Sequence, residues 1–182
     1  DSLLDFGPDG ELLPLAAEEF VSDDGLAFRV RLREGMTFHD GTPVTTAAIT
    51  RSIEHIQAAE SQISGLFSVV TEVREIDDLN AEIIADTPSA WLPSQIAVWG
   101  VLLPESATDD SLATAPVGSG PYMFESYEPG SAITLARNPA YLSGGPKGHA
   151  LAERAVFRFV PEAATRVADL ATGAAHSIEV PD

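Results

Sequence analysis

The chain has 182 residues, of which 28 are acidic, 10 are lysine or arginine and none is cysteine, and its formal net charge is −18. The lack of cysteine excludes disulfides, thiol nucleophiles and cysteine-bound zinc. The charge argues against nucleic acid or an anionic membrane as partner, because phosphate surfaces attract basic faces. With 45% hydrophobic residues the chain can bury a core, yet it has no apolar run long enough to span a membrane.

The first part of the chain predicts a short apolar segment, a hairpin turn and a strand. Leu3 to Phe6 is apolar, and turn residues follow it in Gly7 to Leu12. Asp23-Asp24-Gly25 is a strong hairpin-turn signal. From Phe28 to Arg33, apolar residues alternate with arginines, which is typical of a strand with one buried and one solvated face. We interpret the arginines as the solvated face.

A sharp turn and a helix follow this strand. Asp40-Gly41 is a turn dipeptide, and Pro43 cannot donate to a sheet. The hydroxyl of Thr45 or Thr46 can cap the next helix. Isoleucines then recur at helical spacing and predict a buried stripe on a helix that runs to about Ala59. These isoleucines are Ile49, Ile53 and Ile56.

The remainder of the chain alternates between predicted strands, helices and loops. The predicted strands are Val70 to Asp77, Ala81 to Pro88, a hairpin that contains Tyr122, Phe124, Tyr127, Ile133 and Leu135, Glu153 to Val160, and a last strand that begins at His176. The predicted helices are a short one in Ser89 to Gly100 and one in Glu162 to Thr172, which Gly173 ends. Asp109 to Pro116 is predicted to be a loop, and Ser143 to His149 a flexible segment.

No set of residues with catalytic or metal-binding spacing is apparent. The four histidines (His39, His55, His149 and His176) are scattered, and none stands three or four residues from another. We interpret His39 as an exposed or hydrogen-bonded turn side chain. Gly118 to Tyr122 has two glycines but lacks the third glycine and the helix of a dinucleotide site. The carboxylate pairs lie in predicted turns, so we predict no catalytic residue, no metal ligand and no cofactor.

Four ordered segments resemble the family 5 extracellular solute-binding proteins, which are the peptide, dipeptide and nickel receptors of ABC importers. The segments are "LLDFGPDGELLPLAAEEF", "FRVRLREGMTFHDGTPVTTAAIT", "GSGPYMFESYEPGSAITLARNPAY" and "AVFRFVPEAATRVADLATGAAHSIEV". The chain departs from the family pattern at Phe20, at Ala47 to Ile49, at Leu142 and at Ala174 to Ile178, which indicates a divergent member.

The resemblance implies a mixed α/β (α+β) fold. It covers the N-terminal portion of such a protein, a fragment of the type II (class C) periplasmic-binding-protein fold. Residues 1–14 would begin the first ligand-binding lobe, 15–117 would form a small inserted domain, and 118–182 would return into the first lobe. The second lobe would be absent. Asp1 already lies in a patterned segment without a signal sequence, so we expect the chain to be cut from a longer protein at both ends.

The resemblance also implies a function outside the cytoplasm and without catalysis. The protein would capture a small molecule or a peptide, with a peptide preferred, and deliver it to ABC permease subunits. It would meet the membrane only through the permease or an anchor outside this chain. Two alternatives remain: the ligand-sensing domain of a cytoplasmic transcription regulator, and a nickel or metallophore receptor. The chain by itself should bind ligand weakly, because half of the enclosing surface would be missing.

The residues that resemble the lining of the family's ligand cleft lie in two segments. This family grips its ligand partly through main-chain groups, which every peptide can match. Trp99 is a further candidate, although an aromatic residue at a helix end is more often part of the core. The strand–turn–helix from Phe28 to Ile53 is interpreted as a scaffold, and the second lining segment has a packing loop as its alternative. The predicted lining residues are Asp1, Ser2, Leu3, Gly118, Ser119, Gly120 and Tyr122.

Overall fold

The structure is a computed structural model that describes residues 1–58, 62–142 and 146–179. Its strands are β1 (Leu4–Phe6), β2 (Leu12–Pro14), β3 (Ala17–Val21), β4 (Ala27–Leu32), β5 (Val70–Glu75), β6 (Asn80–Ala85), β7 (Tyr122–Glu128), β8 (Ala132–Arg137) and β9 (Arg154–Arg158). Its helices are α1 (Ala47–Ala58), α2 (Gln62–Phe67), α3 (Leu92–Trp99), α4 (Asp109–Thr114) and α5 (Ala163–Thr172). Predictions for Ala59, for the first three residues of Ser143 to His149, and for Val180 lie outside the described residues.

The described strands form three antiparallel sheets. β1 and β2 make a two-stranded ribbon, β3-β4-β6-β5 make the largest sheet, and β7-β8-β9 make the third. The mixture of antiparallel sheets and separate helices is the mixed α/β architecture that the sequence analysis expected. None of the described helices has both the length and the hydropathy that a membrane crossing requires.

The core lies between the large sheet and α1. Phe28, Val30 and Leu32 of β4 are almost completely buried, while Arg29 and Arg31 between them are exposed, so the predicted alternation is confirmed. Ile49 and Ile53 of α1 belong to the same buried cluster. Each such side chain contributes about 1.5–3 kcal/mol by leaving water, which makes this face the main source of stability in the strand–turn–helix unit.

The turn between β4 and α1 is closed by its own hydrogen bonds. Gly41 donates from its N–H to Phe38 O, and its φ of +85° is one that glycine adopts at little cost. Asp40 Oδ1 accepts from the hydroxyl (2.6 Å) and the N–H (3.0 Å) of Thr42. These two bonds, the hydroxyl bond first, hold the pKa of the Asp40 carboxyl below its usual value. The turn is therefore rigid where it leads into the helix.

Thr46 connects the start of α1 to the large sheet. Its hydroxyl donates to Asp77 O (2.8 Å), and its N–H donates to Asp78 O (3.0 Å), in the loop between β5 and β6. Thr46 is buried, with 2% of its surface exposed. This contact gives the residue a tertiary role, and a helix cap from Thr45 or Thr46 stays a prediction.

Two of the secondary-structure assignments made from the sequence are wrong. Asp109 to Thr114, expected to be a loop, forms helix α4. Thr108 and Ser111 make a capping box, in which each side chain accepts from the other residue's N–H (3.2 and 3.0 Å) and satisfies a donor at the helix start. The last strand is not formed over His176 to Glu179, because no described strand pairs with this stretch.

Candidate functional site

The structure brings the two predicted lining segments together. The backbone nitrogen of Asp1 donates to Ser119 Oγ (3.2 Å), and a Cβ built on Gly120 would lie 3.6 Å from Asp1 Oδ1. Tyr122 begins β7, and its hydroxyl donates to Ala152 O (3.1 Å). Asp1, Ser119 and Gly120 thus lie together, with the Asp1 side chain and Ser119 each 2% exposed and Gly120 partly exposed, while the Tyr122 hydroxyl points to another part of the chain.

Residues 1 to 3 are held between two other segments of the chain. Leu102 donates its N–H to Asp1 O (2.9 Å), and the N–H groups of Leu15 and Ala17 donate to Leu3 O (3.0 Å each). The Ser2 hydroxyl donates to Leu4 O (2.6 Å), and Ser2 and Leu3 are 6% and 2% exposed. Their side chains therefore pack inside the protein, and a ligand contact from either residue stays a prediction.

The Asp1 carboxylate is buried beside the only lysine of the chain. Its side chain is 2% exposed, and Lys147 Nζ lies 3.1 Å from Oδ1. The same ammonium lies 3.7 Å from Asp5 Oδ2. Asp1 Oδ2 is buried and has no hydrogen-bond partner among the described residues. Because a buried carboxylate requires a counter-charge, Lys147 is the group that makes this burial tolerable.

Tyr141 lies in the same part of the fold. It is 8% exposed, and burial, with a further contribution from the Asp5 carboxylate, raises the pKa of its phenol. The phenol therefore stays neutral at physiological pH. This neutral, buried ring therefore has a packing role near Asp5.

His39 binds the second lining segment from the turn after β4. Its backbone N–H donates to Gly118 O (2.8 Å), its ring Nδ1 accepts from Gly118 N–H (3.2 Å), and its ring Nε2 lies 3.0 Å from Gly120 O. Both main-chain groups of Gly118 are therefore paired within the protein. A Cβ on Gly118 would lie 3.3 Å from His39 Cε1, a contact tighter than most real ones, so the ring fits closely against a glycine.

Asn138 binds the same segment from the other side. The Asn138 side chain donates from Nδ2 to Gly120 O (3.1 Å), and its backbone N–H donates to Pro121 O (2.8 Å). Asn138 is 8% exposed. The carbonyl of Gly120 thus lies between two side chains, and we name the set of His39, Gly118, Gly120 and Asn138 the His39 clasp.

The sequence analysis anticipated a hydrogen-bonded turn for His39 but not its partners. Trp99 was interpreted as a core residue first and a lining residue second, and the core interpretation is wrong because 44% of its surface is exposed. Within residues 1–58, 62–142 and 146–179, no group of histidine and carboxylate side chains is arranged to hold a metal ion. The region around Asp1, Ser119 and Gly120 contains small residues and one charged pair, and Gly118 and Gly120 are its partly exposed glycines.

Comparison with known protein families gives a match over most of the chain. The profile of the bacterial extracellular solute-binding proteins, family 5 (middle region), matches residues 11–182. Among curated relatives, the glutathione-binding protein GsiB of Pectobacterium atrosepticum is 28% identical over 95% of this chain and 34% of its own length. The probable di/tripeptide-binding protein 5 of Pseudomonas aeruginosa is 28% identical over 90% of this chain and 36% of its own. The chain thus spans about a third of the length of these relatives.

Solved structures give the same result for the fold. The nickel ABC transporter protein of Bacillus halodurans superposes with a TM-score of 0.83 at 25% identity, over 96% of this chain and 36% of that one. AgaA from A. tumefaciens R10, in complex with agropinic acid, superposes with a TM-score of 0.79 at 31% identity, over 95% and 36%. The described fold therefore corresponds to roughly a third of a periplasmic binding protein, as expected from the sequence.

Proposed function

The chain belongs to the family 5 bacterial extracellular solute-binding proteins, and we propose that it is part of the substrate-binding component of an ABC importer. In this role it captures a solute outside the cytoplasm and delivers it to permease subunits in the membrane. The observation that carries the proposal is the family match over residues 11–182 together with relatives that are named as binding proteins. We propose a binding role without catalysis.

We propose a peptide as the ligand. Two of the relatives are named for glutathione and for di- and tripeptides, and glutathione is itself a peptide. Gly118 and Gly120, which are partly exposed, support this choice, since residues without side chains let a ligand approach the backbone closely and main-chain recognition suits peptides of varied sequence. The proposed ligand residues are the seven predicted from the sequence, namely Asp1, Ser2, Leu3, Gly118, Ser119, Gly120 and Tyr122. We also propose that residues 15–117 form the small inserted domain and that residues 1–14 and 118–182 belong to the first lobe.

Calorimetry on the complete gene product tests the proposal. The panel consists of L-alanyl-L-alanine, tri-L-alanine, glutathione, nickel-histidine and agropinic acid. Saturable binding of one or more peptides, with no heat from the last two compounds, supports a peptide importer. Binding of nickel-histidine or agropinic acid alone would overturn the peptide assignment and leave the importer role in place.

Substitutions at the proposed surface locate the site on this chain. Gly120→Val places a branched side chain beside Asp1 Oδ1 and should weaken peptide binding at least tenfold, provided that Gly120 lines the cleft. Gly130→Val is the matched control, because Gly130 lies in the β7–β8 turn and a Cβ built there would meet nothing within 4 Å. Its φ of +71° makes the control the more strained variant of the two. Equal affinity of both variants would contradict a ligand contact at Gly120.

A further inference from the structure

The His39 clasp connects parts of the chain that are far apart in sequence. His39 lies in the turn after β4, whereas its ring partners Gly118 and Gly120 lie 79 and 81 residues further along. Asn138, at the end of β8, donates to the same Gly120 carbonyl. The main chain on either side of Ser119 is thereby fixed at two points, and Ser119 itself is 2% exposed and accepts from the nitrogen of Asp1.

The hydrogen bonds define the protonation state of the His39 ring. An amide N–H is always a donor, so Nδ1 must offer its lone pair to Gly118. The ring proton then lies on Nε2, from which it donates to Gly120 O. A second proton on Nδ1 would face the Gly118 N–H and replace the hydrogen bond with a repulsion between two donors. The clasp is therefore complete only when His39 is neutral.

We propose that His39 is a positioning residue for ligand binding, which in its neutral form holds the main chain around Ser119 in one conformation and releases Gly118 when Nδ1 takes up a proton. The proposal deepens the proposed function, since it assumes that the segment from Gly118 to Gly120 lines the ligand site. His39 does not itself contact the ligand in this account. It acts through Gly118 and Gly120, and ligand affinity should fall at acidic pH.

The charges around His39 agree with a neutral ring. Desolvation by burial is the main cause that lowers the pKa of His39, and the hydrogen bond to Gly120 opposes it. Asp40 on the same turn raises the pKa. The Asp1 carboxylate, across the segment, is already paired with Lys147. No described carboxylate forms an ion pair with the His39 ring.

Three substitutions separate the functions of the two ring nitrogens. His39→Asn places an oxygen near the position of Nδ1, where it can accept from Gly118 N–H and cannot gain a proton at pH 5. His39→Gln places an amide NH₂ near Nε2 and can restore only the bond to Gly120. His39→Phe restores neither bond. His176→Asn serves as the control, because His176 is exposed and lies outside the clasp.

The first measurement needs no ligand. Exchange of the Gly118 amide hydrogen, corrected for its intrinsic pH dependence, is followed by NMR as the pH is lowered from 7 until long-range ¹H–¹⁵N correlations, which also report the tautomer, show that the His39 ring is protonated. We expect an Nε2–H tautomer at pH 7 and a loss of Gly118 protection of about fivefold or more when the ring is protonated, which is the cost of one hydrogen bond. The loss should be absent in His39→Asn and already in place at pH 7 in His39→Gln and His39→Phe.

The second measurement is the affinity for glutathione and L-alanyl-L-alanine over the same pH range. The proposal expects affinity to fall as the His39 ring becomes protonated, in the parent protein and in the His176→Asn control, and to change much less in His39→Asn. An Nδ1–H tautomer, or equal Gly118 protection with the ring neutral and protonated in the parent, would overturn the clasp. An intact clasp with pH-independent peptide affinity would overturn the positioning role. If neither peptide binds at any pH, the proposed peptide function fails, while the exchange data still decide on the clasp.

Discussion

Lys147 and His39 hold the region around Asp1, Ser119 and Gly120 by different physical means. Lys147 supplies a positive charge to a carboxylate that is 2% exposed, and charge neutralisation is what permits such burial. His39 supplies directed hydrogen bonds to main-chain groups. The first contribution depends on charge and the second on protonation state, so substitutions and pH should separate them.

Removal of the Lys147 charge should destabilise the protein more than removal of a surface charge. Lys147→Met leaves the Asp1 carboxylate buried without a counter-ion, and we expect a loss of about 2 kcal/mol in the free energy of unfolding. Arg74→Met is the matched control, since Arg74 pairs with Glu72 and Glu82 on the surface and such pairs contribute less than about 1 kcal/mol. Urea denaturation measures both variants, and equal losses would contradict the role given to Lys147.

The lowered pKa of His39 predicts a pH dependence of stability. Its ordinary value is 6.5, and burial lowers it in the folded state. Below pH 6.5 the unfolded chain binds a proton that the native protein does not, so the free energy of unfolding should decrease as the pH falls from 6.5 toward the folded-state pKa. His39→Asn should lose this component between pH 7 and 5. Urea denaturation at each pH measures the free energy of unfolding of both proteins. If it changes with pH equally in the parent and in His39→Asn, the pH dependence does not come from His39.

At the scale of elements, local sequence patterns were sufficient to predict a strand or helix that buries one of its faces. The alternation in β4 and the isoleucine stripe of α1 could be predicted because burial imposes a period on the sequence. Helix α4 was missed, although the Thr108 and Ser111 pair that caps it is a local signal. The prediction of the last strand was wrong because a strand depends on a partner strand, which local sequence does not specify.

The site was less predictable than the elements, because its contacts join segments that are distant in sequence. The residues around Gly118 could be proposed through the family resemblance, and the structure places Asp1 beside Ser119. The contribution of His39 could not be read from its own turn, since its ring partners are 79 and 81 residues away. The burial of Ser2 and Leu3 likewise depends on segments distant in sequence.

The packing of α1 on the large sheet predicts a large cost for a cavity there. Ile49→Ala removes a side chain that is 1% exposed, and we expect a loss of about 3 kcal/mol in the free energy of unfolding. Ile76→Ala makes the same chemical change at a position that is 62% exposed and should cost less than about 0.5 kcal/mol. Urea denaturation provides the comparison, and similar costs at both positions would mean that α1 does not pack as described.

At the scale of the whole molecule, the dominant electrostatic property is the net charge of −18. Repulsion among excess carboxylates destabilises a compact state, and salt screens it. Salt also weakens the described ion pairs, but most of these are exposed and contribute little. The repulsion among carboxylates should therefore determine whether salt raises or lowers the stability of the protein.

Sodium chloride should stabilise the protein. Between about 0.05 M and about 1 M salt, the screening length falls to a few ångströms, so the urea midpoint should rise at pH 7. A series at a pH close to the isoelectric point of about 4.3 provides the control, because the net repulsion is then small and the rise should shrink. A urea midpoint that falls with salt at pH 7 would contradict the electrostatic account.

The central claim is that this chain contributes to a peptide-binding protein of an ABC importer, and native mass spectrometry tests it most directly. The complete gene product is purified gently from its own host, and its spectrum is compared with that of the 182-residue chain. The account predicts a retained mass that fragments into short peptides in the complete protein and little or none in the 182-residue chain, which spans about a third of the length of its relatives. A retained metal chelate or agropinic acid instead of peptide, unchanged after incubation with di- and tripeptides, would contradict the claim.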